Sequence, residues 1–138
     1  MKQSPDISKQ TDVVLLTENG DGITTVTLNR PNQYNALSEQ VLADMQLLLD
    51  QLSERHDIKV VIIASAGDAF CSGHDLKEMR ATPNKDYYQD LFRRCSHMMM
   101  TMVRMPQTVI TRVHGTATAA GCQLVANSDL AVASSAAQ

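Results

Sequence analysis

Apolar and polar positions near the start of the chain predict a β-hairpin. Residues 13–17 form a short apolar run, and residues 23–28 alternate in part and are rich in β-branched side chains. Residues 19–22, with the sequence Asn-Gly-Asp-Gly, separate the two runs. Because Asn, Asp and Gly tolerate the left-handed backbone of tight turns, this pattern predicts two antiparallel strands joined by such a turn.

Two longer segments carry apolar residues at helical spacing. The first follows Ser38, a candidate N-cap. Its apolar face is formed by Leu42, Met45, Leu49 and Leu52. The second runs from Lys85 to Arg104 and ends before Pro106, which cannot continue a helix. Its apolar stripe is formed by Leu91, Cys95, Met98 and Met102. A third, short helix is predicted at residues 121–127.

Strands are predicted at residues 59–64, at Thr108 to Val113 and at residues 129–133. The first contains a continuous apolar run, which predicts burial on both faces and hence a parallel sheet, and the second is predicted to be another buried strand. Strands that alternate with helices are typical of the α/β class. The sequence therefore predicts one α/β domain at residues 13–138, preceded by a flexible polar tail at residues 1–12.

Composition and charge narrow the classes of function. The chain has 138 residues, a net charge of −3, 4% aromatic residues and no Trp. These values disfavour a nucleic-acid partner, which needs basic surface and stacking side chains. No apolar run approaches the ~20 residues that cross a bilayer, and the polar N-terminus does not resemble a secretory signal. The sequence predicts a cytoplasmic protein with no membrane partner.

The cysteines predict neither a disulfide framework nor a metal site. Cys71, Cys95 and Cys122 are far apart in the sequence, and there is no Cys-x-x-Cys pair and no Cys/His cluster. We expect reduced thiols and no metal ion.

Two loops of small residues, 70–78 and 114–123, each follow a predicted strand. Small side chains allow a ligand to approach the backbone, and the first amides of a helix lack acceptors within it. Two such amides that converge on one carbonyl oxygen form an oxyanion hole. Both loops are equally compatible with tight strand-to-helix turns, and the spacing alone leaves these alternatives open.

Four segments together resemble the N-terminal part of the crotonase superfamily, the enoyl-CoA hydratase/isomerase family. Residues 30–37 contain Arg-Pro followed by Asn-Ala-Leu, and residues 70–79 read Phe-Cys-Ser-Gly-His-Asp-Leu-Lys-Glu-Met. Residues 114–124 run from His-Gly to Ala-Gly-Cys-Gln-Leu, and residues 129–133 read Asp-Leu-Ala-Val-Ala. The order and spacing are those of the family, and the resemblance covers nearly all of the chain beyond residue 12.

The resemblance implies a fold and a site. The fold is a crotonase-like spiral of ββα units, truncated before the C-terminal helical region, that binds an acyl-CoA. The backbone amides of His74 and Ala120 would hold the thioester oxygen and stabilise an enolate. The other substrate-binding positions implied are Asn35, Ala36, Leu37, Ser72, Gly73, Asp75, Leu76 and Gly121. No cofactor is expected, since coenzyme A enters as part of the substrate, and family domains form trimers or hexamers.

The sequence departs from the family at the positions that transfer protons. Gln123 occupies the position of a catalytic glutamate, and the second glutamate of the family would fall beyond Gln138. A carboxamide cannot act as a general base at neutral pH, so we expect the 138-residue chain to be inactive as a hydratase. Asp75 is expected to orient its loop or cap the following helix, and the His74 side chain has no matched catalytic role.

Three functions are therefore weighed. The first is an enoyl-CoA hydratase/isomerase-family protein, nominally hydrating a 2-enoyl-CoA. The second is a non-catalytic acyl-CoA-binding or interaction protein. The third, a Rossmann-type nucleotide domain, requires a Gly-x-Gly-x-x-Gly motif that the sequence lacks. We expect the chain to be part of a longer product or to be completed by self-association, because a partial spiral leaves strand edges unpaired.

Overall fold

The computed structural model describes residues 12–138 and begins with the predicted hairpin. Strand β1, Val14–Gly20, pairs antiparallel with β2, Ile23–Leu28. The turn between them lies at Asp21 and Gly22, which both adopt positive φ angles (53° and 76°). The tail predicted at residues 1–12 lies outside the described residues except for Asp12.

The sheet continues in parallel from the hairpin. Strands β3, Val60–Ser65, β4, Thr108–Val113, and β5, Leu130–Ala133, follow in the order β1-β2-β3-β4-β5. The pairs β2–β3, β3–β4 and β4–β5 are all parallel. This arrangement confirms the α/β prediction.

Four helices connect the strands. They are α1, Glu39–Ser53, α2, Leu76–Ala81, α3, Lys85–Arg104, and α4, Ala120–Ala126. Ser38 caps α1 as predicted, since its hydroxyl accepts a hydrogen bond from the amide of Val41 at 3.2 Å. Among residues 12–138, no helix is long and apolar enough to cross a membrane.

The core lies where α1 packs on α3 and on strand β1 of the hairpin. The predicted stripes are confirmed, because all eight of their side chains are buried: Leu42, Met45, Leu49, Leu52, Leu91, Cys95, Met98 and Met102. Phe70, at the start of the loop after β3, is also fully buried. This packing fixes the chain on both sides of the loops that follow β3 and β4.

The prediction that Thr108 to Val113 is buried on both faces is wrong. In β4, Val109 and Val113 are buried, whereas Thr108 and Arg112 on the opposite face are exposed. All of β5 is exposed, including Leu130 (60%) and Val132 (63%). Elements within residues 12–138 cover only one face of β4 and neither face of β5. The apolar side chains of these two strands are therefore not a reliable sign of burial.

A second row of short pairings follows the main sheet. After β2, Leu37 forms a parallel bridge with His74, which follows β3. Cys71 forms the same kind of bridge with Ala117, which follows β4. The amide of Ala117 in turn donates to Gln138, after β5, at 2.9 Å. Each successive turn of the chain therefore adds one strand to the sheet and one segment to the second row, and this repetition forms a spiral.

Candidate functional site

Backbone hydrogen bonds fix the loop after β3 on both sides of His74. The amide of Leu37 donates to the carbonyl of Gly73 at 2.8 Å, and the carbonyl of Leu37 accepts from the amide of Asp75 at 3.2 Å. In a parallel bridge the residue that is bracketed in this way directs its own amide to the opposite side. The N–H of His74 therefore points away from Leu37.

The loop after β4 lies directly on the loop after β3. The carbonyl of Cys71 accepts from the amide of Thr118 at 3.1 Å. A Cβ atom on Gly121 would lie only 2.1 Å from that same carbonyl oxygen. Only glycine fits at this position, and the first turn of α4 is thereby held against residues 71–73.

The two loops bring Gly73 close to Ala120. Gly73 adopts φ +93°, and a Cβ atom there would lie 3.3 Å from the amide nitrogen of Ala120. The amide of His74 is the next one along the chain from Gly73. Within residues 12–138, neither the amide of His74 nor that of Ala120 has an intramolecular acceptor. Neighbouring amides without acceptors can share one negatively charged oxygen.

Ala119 holds a conformation that favours glycine. Its φ and ψ are 51° and −126°, and it immediately precedes α4. Such a non-glycine conformation costs on the order of 1–3 kcal/mol and is common at functional sites. This unusual backbone immediately precedes Ala120, the first residue of α4.

A groove of about 580 Å³ lies beside the loop that carries His74. Five of the predicted site residues line it: Ala36, Ser72, His74, Asp75 and Leu76. Its other walls are formed by Arg30, Asn32, Gln33, Tyr34, Lys77 and Glu78. Leu76 and Tyr34 are largely exposed, so the groove offers apolar surface next to charged side chains.

Asn35 and Leu37, predicted to line the ligand path, lie behind the groove instead. The Asn35 amide group donates to the carbonyls of Ala66 and Ala69 at 2.7 and 2.8 Å. Leu37 is completely buried in the core. Both residues support the wall, because the hydrogen-bonding groups of Asn35's side chain and of Leu37's backbone already bind other parts of the chain.

Asp75 caps α2, which is one of its two predicted roles. Its Oδ1 accepts from the amides of Lys77 and Glu78 at 3.0 and 3.3 Å, and its Oδ2 pairs with Arg30 at 3.0 Å. Burial acts to raise the pKa of this carboxyl, but the Glu78 amide and the Arg30 guanidinium outweigh it and lower the pKa. Asp75 is therefore a charged anchor rather than a proton donor at neutral pH.

The His74 side chain packs against α3. Its ring lies 5.0 Å from the ring of Phe92 in an edge-to-face arrangement, and partial burial lowers its pKa. The imidazole is therefore neutral at physiological pH. Its position beside Phe92 is compatible with the expectation that only the backbone of His74 serves the carbonyl site.

Gln123 lies exposed on α4, one helical turn after Ala120. Cys122 beside it is also exposed, whereas burial raises the pKa of the Cys71 thiol to about 11. The described residues hold no group of three or more His, Cys, Asp or Glu side chains that could bind a metal ion. The groove places the charged side chains of Arg30, Asp75, Lys77 and Glu78 beside a neutral imidazole.

Sequence reasoning missed several residues of the groove. Arg30 was recognised only as part of a motif, although it ion-pairs with Asp75. Tyr34 and Phe92 contribute aromatic surface near His74. Tyr34 takes a left-handed conformation (φ 52°) after the short 3₁₀ turn Pro31–Gln33. The Arg-Pro pair marks that turn, but no local signal reveals which side chains it brings to the groove.

Comparison with known proteins identifies the family. The enoyl-CoA hydratase/isomerase family model matches residues 18–138. The chain is 51% identical to the crystal structure of an enoyl-CoA hydratase from Mycobacterium smegmatis, with a TM-score of 0.89, covering 91% of this chain and 49% of that one. For the structure of human enoyl-CoA hydratase domain-containing protein 3, the identity is 41% and the TM-score is 0.83. That match covers 88% of this chain and 47% of the human chain.

A curated relative gives the same result. Enoyl-CoA hydratase domain-containing protein 3 of Rattus norvegicus is 43% identical over 118 residues, which cover 86% of this chain and 39% of that protein. The chain thus spans less than half the length of these relatives. The rat protein is named as mitochondrial, so the prediction of a cytoplasmic location is not supported. The predicted resemblance and the crotonase-like fold are confirmed: this chain belongs to the enoyl-CoA hydratase/isomerase family.

Proposed function

We propose that the chain binds an acyl-CoA thioester and that the amides of His74 and Ala120 hold the thioester oxygen. The observation that carries this proposal is the 3.3 Å approach of a Cβ position on Gly73 to the Ala120 nitrogen. Because the amide of His74 directly follows Gly73, this approach supports two donors acting on one oxygen. Family membership supports the ligand class, and the groove beside His74 offers space for the rest of the molecule.

The two amides act on charge that develops during reaction. When a base removes a proton from the carbon next to the thioester, the electron pair moves onto the carbonyl oxygen and an enolate forms. Fixed N–H donors stabilise this oxyanion more than the neutral carbonyl, and loss of one donor from such a site costs about 3 kcal/mol. These residues need supply no proton, so the His74 side chain can vary.

Hydration of a 2-enoyl-CoA is the nominal reaction of this site. Water addition requires a general base, and Gln123 stands where the family pattern has a glutamate. The second candidate function, binding of an acyl-CoA without catalysis, is favoured by this single residue. A crotonyl-CoA hydration assay on the 138-residue chain separates the two: we expect no hydration above the buffer rate, and robust turnover would point to a different base.

The proposed carbonyl site is tested by two ligands that differ at one group. Butyryl-CoA carries the thioester oxygen, and S-butyl-CoA is the thioether that lacks it. Two hydrogen bonds of ~1 kcal/mol each predict tighter binding of the thioester by roughly tenfold or more. Isothermal titration calorimetry measures both dissociation constants. Equal affinities would contradict the proposed role of the amides while leaving coenzyme A binding itself intact.

A further inference from the structure

We propose that the ion pair between Arg30 and Asp75 positions the amide of His74 and thereby sets the preference for a thioester. The inference rests on the proposed function, since it concerns the same carbonyl site. Neither side chain contacts the thioester oxygen in this account. Both act through the backbone segment that carries the donor, as positioning residues.

Arg30 joins the two chain segments that form the bridge beside His74. Its Nη1 donates to the carbonyl of Ala36 at 2.9 Å, and its Nη2 pairs with Oδ2 of Asp75 at 3.0 Å. Ala36 directly precedes the bridge residue Leu37, and Asp75 directly follows His74. One planar guanidinium therefore ties together both sides of the bridge, a geometry that lysine cannot reproduce with a single ammonium.

Arg30 is itself fixed at its base. Its backbone amide donates to Oδ1 of Asn35 at 2.8 Å, and Asn35 is anchored on the carbonyls of Ala66 and Ala69. The side chains of Arg30 and Asp75 are only 18% and 11% exposed. Low exposure limits the screening of this ion pair by water and salt. Because the backbone of Arg30 is anchored, its guanidinium can hold the loop after β3 in a fixed position.

The two oxygens of Asp75 have separable functions. Oδ1 caps α2 by accepting from the amides of Lys77 and Glu78, whereas Oδ2 receives the guanidinium of Arg30. Asparagine is as good an N-cap as aspartate. Asp75→Asn therefore keeps the cap and removes the charge that Arg30 binds, which separates positioning from the stability of α2.

The test measures the ratio of the dissociation constants of S-butyl-CoA and butyryl-CoA, because a general loss of stability does not change this ratio in the folded protein. We compare the unmodified chain with Asp75→Asn and Arg30→Lys. Glu18→Gln is the matched control, because it breaks a different ion pair, with Arg55. Circular dichroism establishes that each variant is folded before the titration.

We expect the ratio to fall about fivefold or more in Asp75→Asn and in Arg30→Lys, and to stay unchanged in Glu18→Gln. If the unmodified chain prefers the thioester and either folded variant keeps the full preference, the positioning role of the ion pair is overturned while the proposed carbonyl site stands. If the unmodified chain shows no preference, the proposed carbonyl site is overturned and the inference with it. Should Asp75→Asn fail to fold, Arg30→Lys decides the outcome.

Discussion

Gly73 lies so close to Ala120 that a Cβ atom on the glycine would be 3.3 Å from the alanine's amide nitrogen and 2.9 Å from the Cβ of Ala119. The contact joins the loop after β3 to the start of α4. So close an approach is possible because Gly73 has no side chain. The same residue determines the direction of the next amide, that of His74.

Gly73→Ala is therefore predicted to abolish the preference for a thioester over a thioether. The new methyl group would lie against the amide nitrogen of Ala120, and φ +93° would be strained for alanine. Gly20→Ala is the matched control, because Gly20 has a similar φ of +83° but no atom within 4 Å of its Cβ position. Calorimetric titration of both variants is the measurement. A Gly73→Ala protein that retains the full preference would show that these loops do not form the carbonyl site.

Ala119→Gly is predicted to stabilise the protein by about 1 kcal/mol. Relief of a strained conformation returns roughly 1–3 kcal/mol, and the added freedom of glycine in the unfolded chain subtracts ~0.4–1 kcal/mol. Urea denaturation at neutral pH measures the change. Ala117→Gly, at a position without positive φ, is the control and should destabilise. Destabilisation by Ala119→Gly would mean that its backbone is not strained in solution.

The stability contributed by the Asp75 ion pair is predicted to disappear in acid. The pKa of Asp75 is lowered in the folded protein, relative to about 3.9 when unfolded. A lowered folded pKa contributes stability above the unfolded pKa, and this contribution is lost as the pH falls through the folded pKa. The free energy difference between the unmodified chain and Asp75→Asn should thus shrink from pH ~5 to pH ~3. A difference that stays constant across this range would contradict the assignment.

The purified chain is predicted to self-associate. Leu130 and Val132 expose 60% and 63% of their surface on β5, which pairs with β4 alone among the described strands. Exposed apolar surface on an unpaired strand edge favours association, commonly in a closed symmetric form. Light scattering at micromolar concentration is the measurement. Leu130→Lys with Val132→Lys should reduce association, and a cooperatively melting monomer of 15.1 kDa would contradict the prediction.

Local signals predicted much of the fold because their physical causes lie within a few residues. The Asn-Gly-Asp-Gly turn, the Ser38 cap and the stripe on α3 each act through neighbours along the chain. Helix α2 has only six residues and buries none of them, so it has no apolar period to recognise. The exposure of β5 could not be predicted either, because it depends on what covers the strand rather than on its composition.

The candidate site shows the same division. The resemblance indicated His74 and Ala120, and Asp75 could be predicted as a cap because aspartate is a favoured N-cap residue. The depth of Asn35 and Leu37 and the reach of Arg30 to Asp75 depend on contacts between segments that are distant in sequence. Patterns along the sequence carry no information on such distances, so the residues that support the site could be identified only from the structure.

We propose that two backbone amides share the thioester oxygen, and the carbonyl stretch of a bound ligand tests this arrangement most directly. Isotope-edited infrared difference spectroscopy of crotonyl-CoA labelled with ¹³C at the thioester carbon isolates this vibration from the protein amides. We expect a carbonyl stretch at lower frequency than in aqueous buffer, because two fixed donors polarise the carbonyl more than water does. His74→Ala should preserve this shift, since the donor belongs to the backbone. A bound ligand whose carbonyl stretch stays at or above its aqueous frequency would contradict the account.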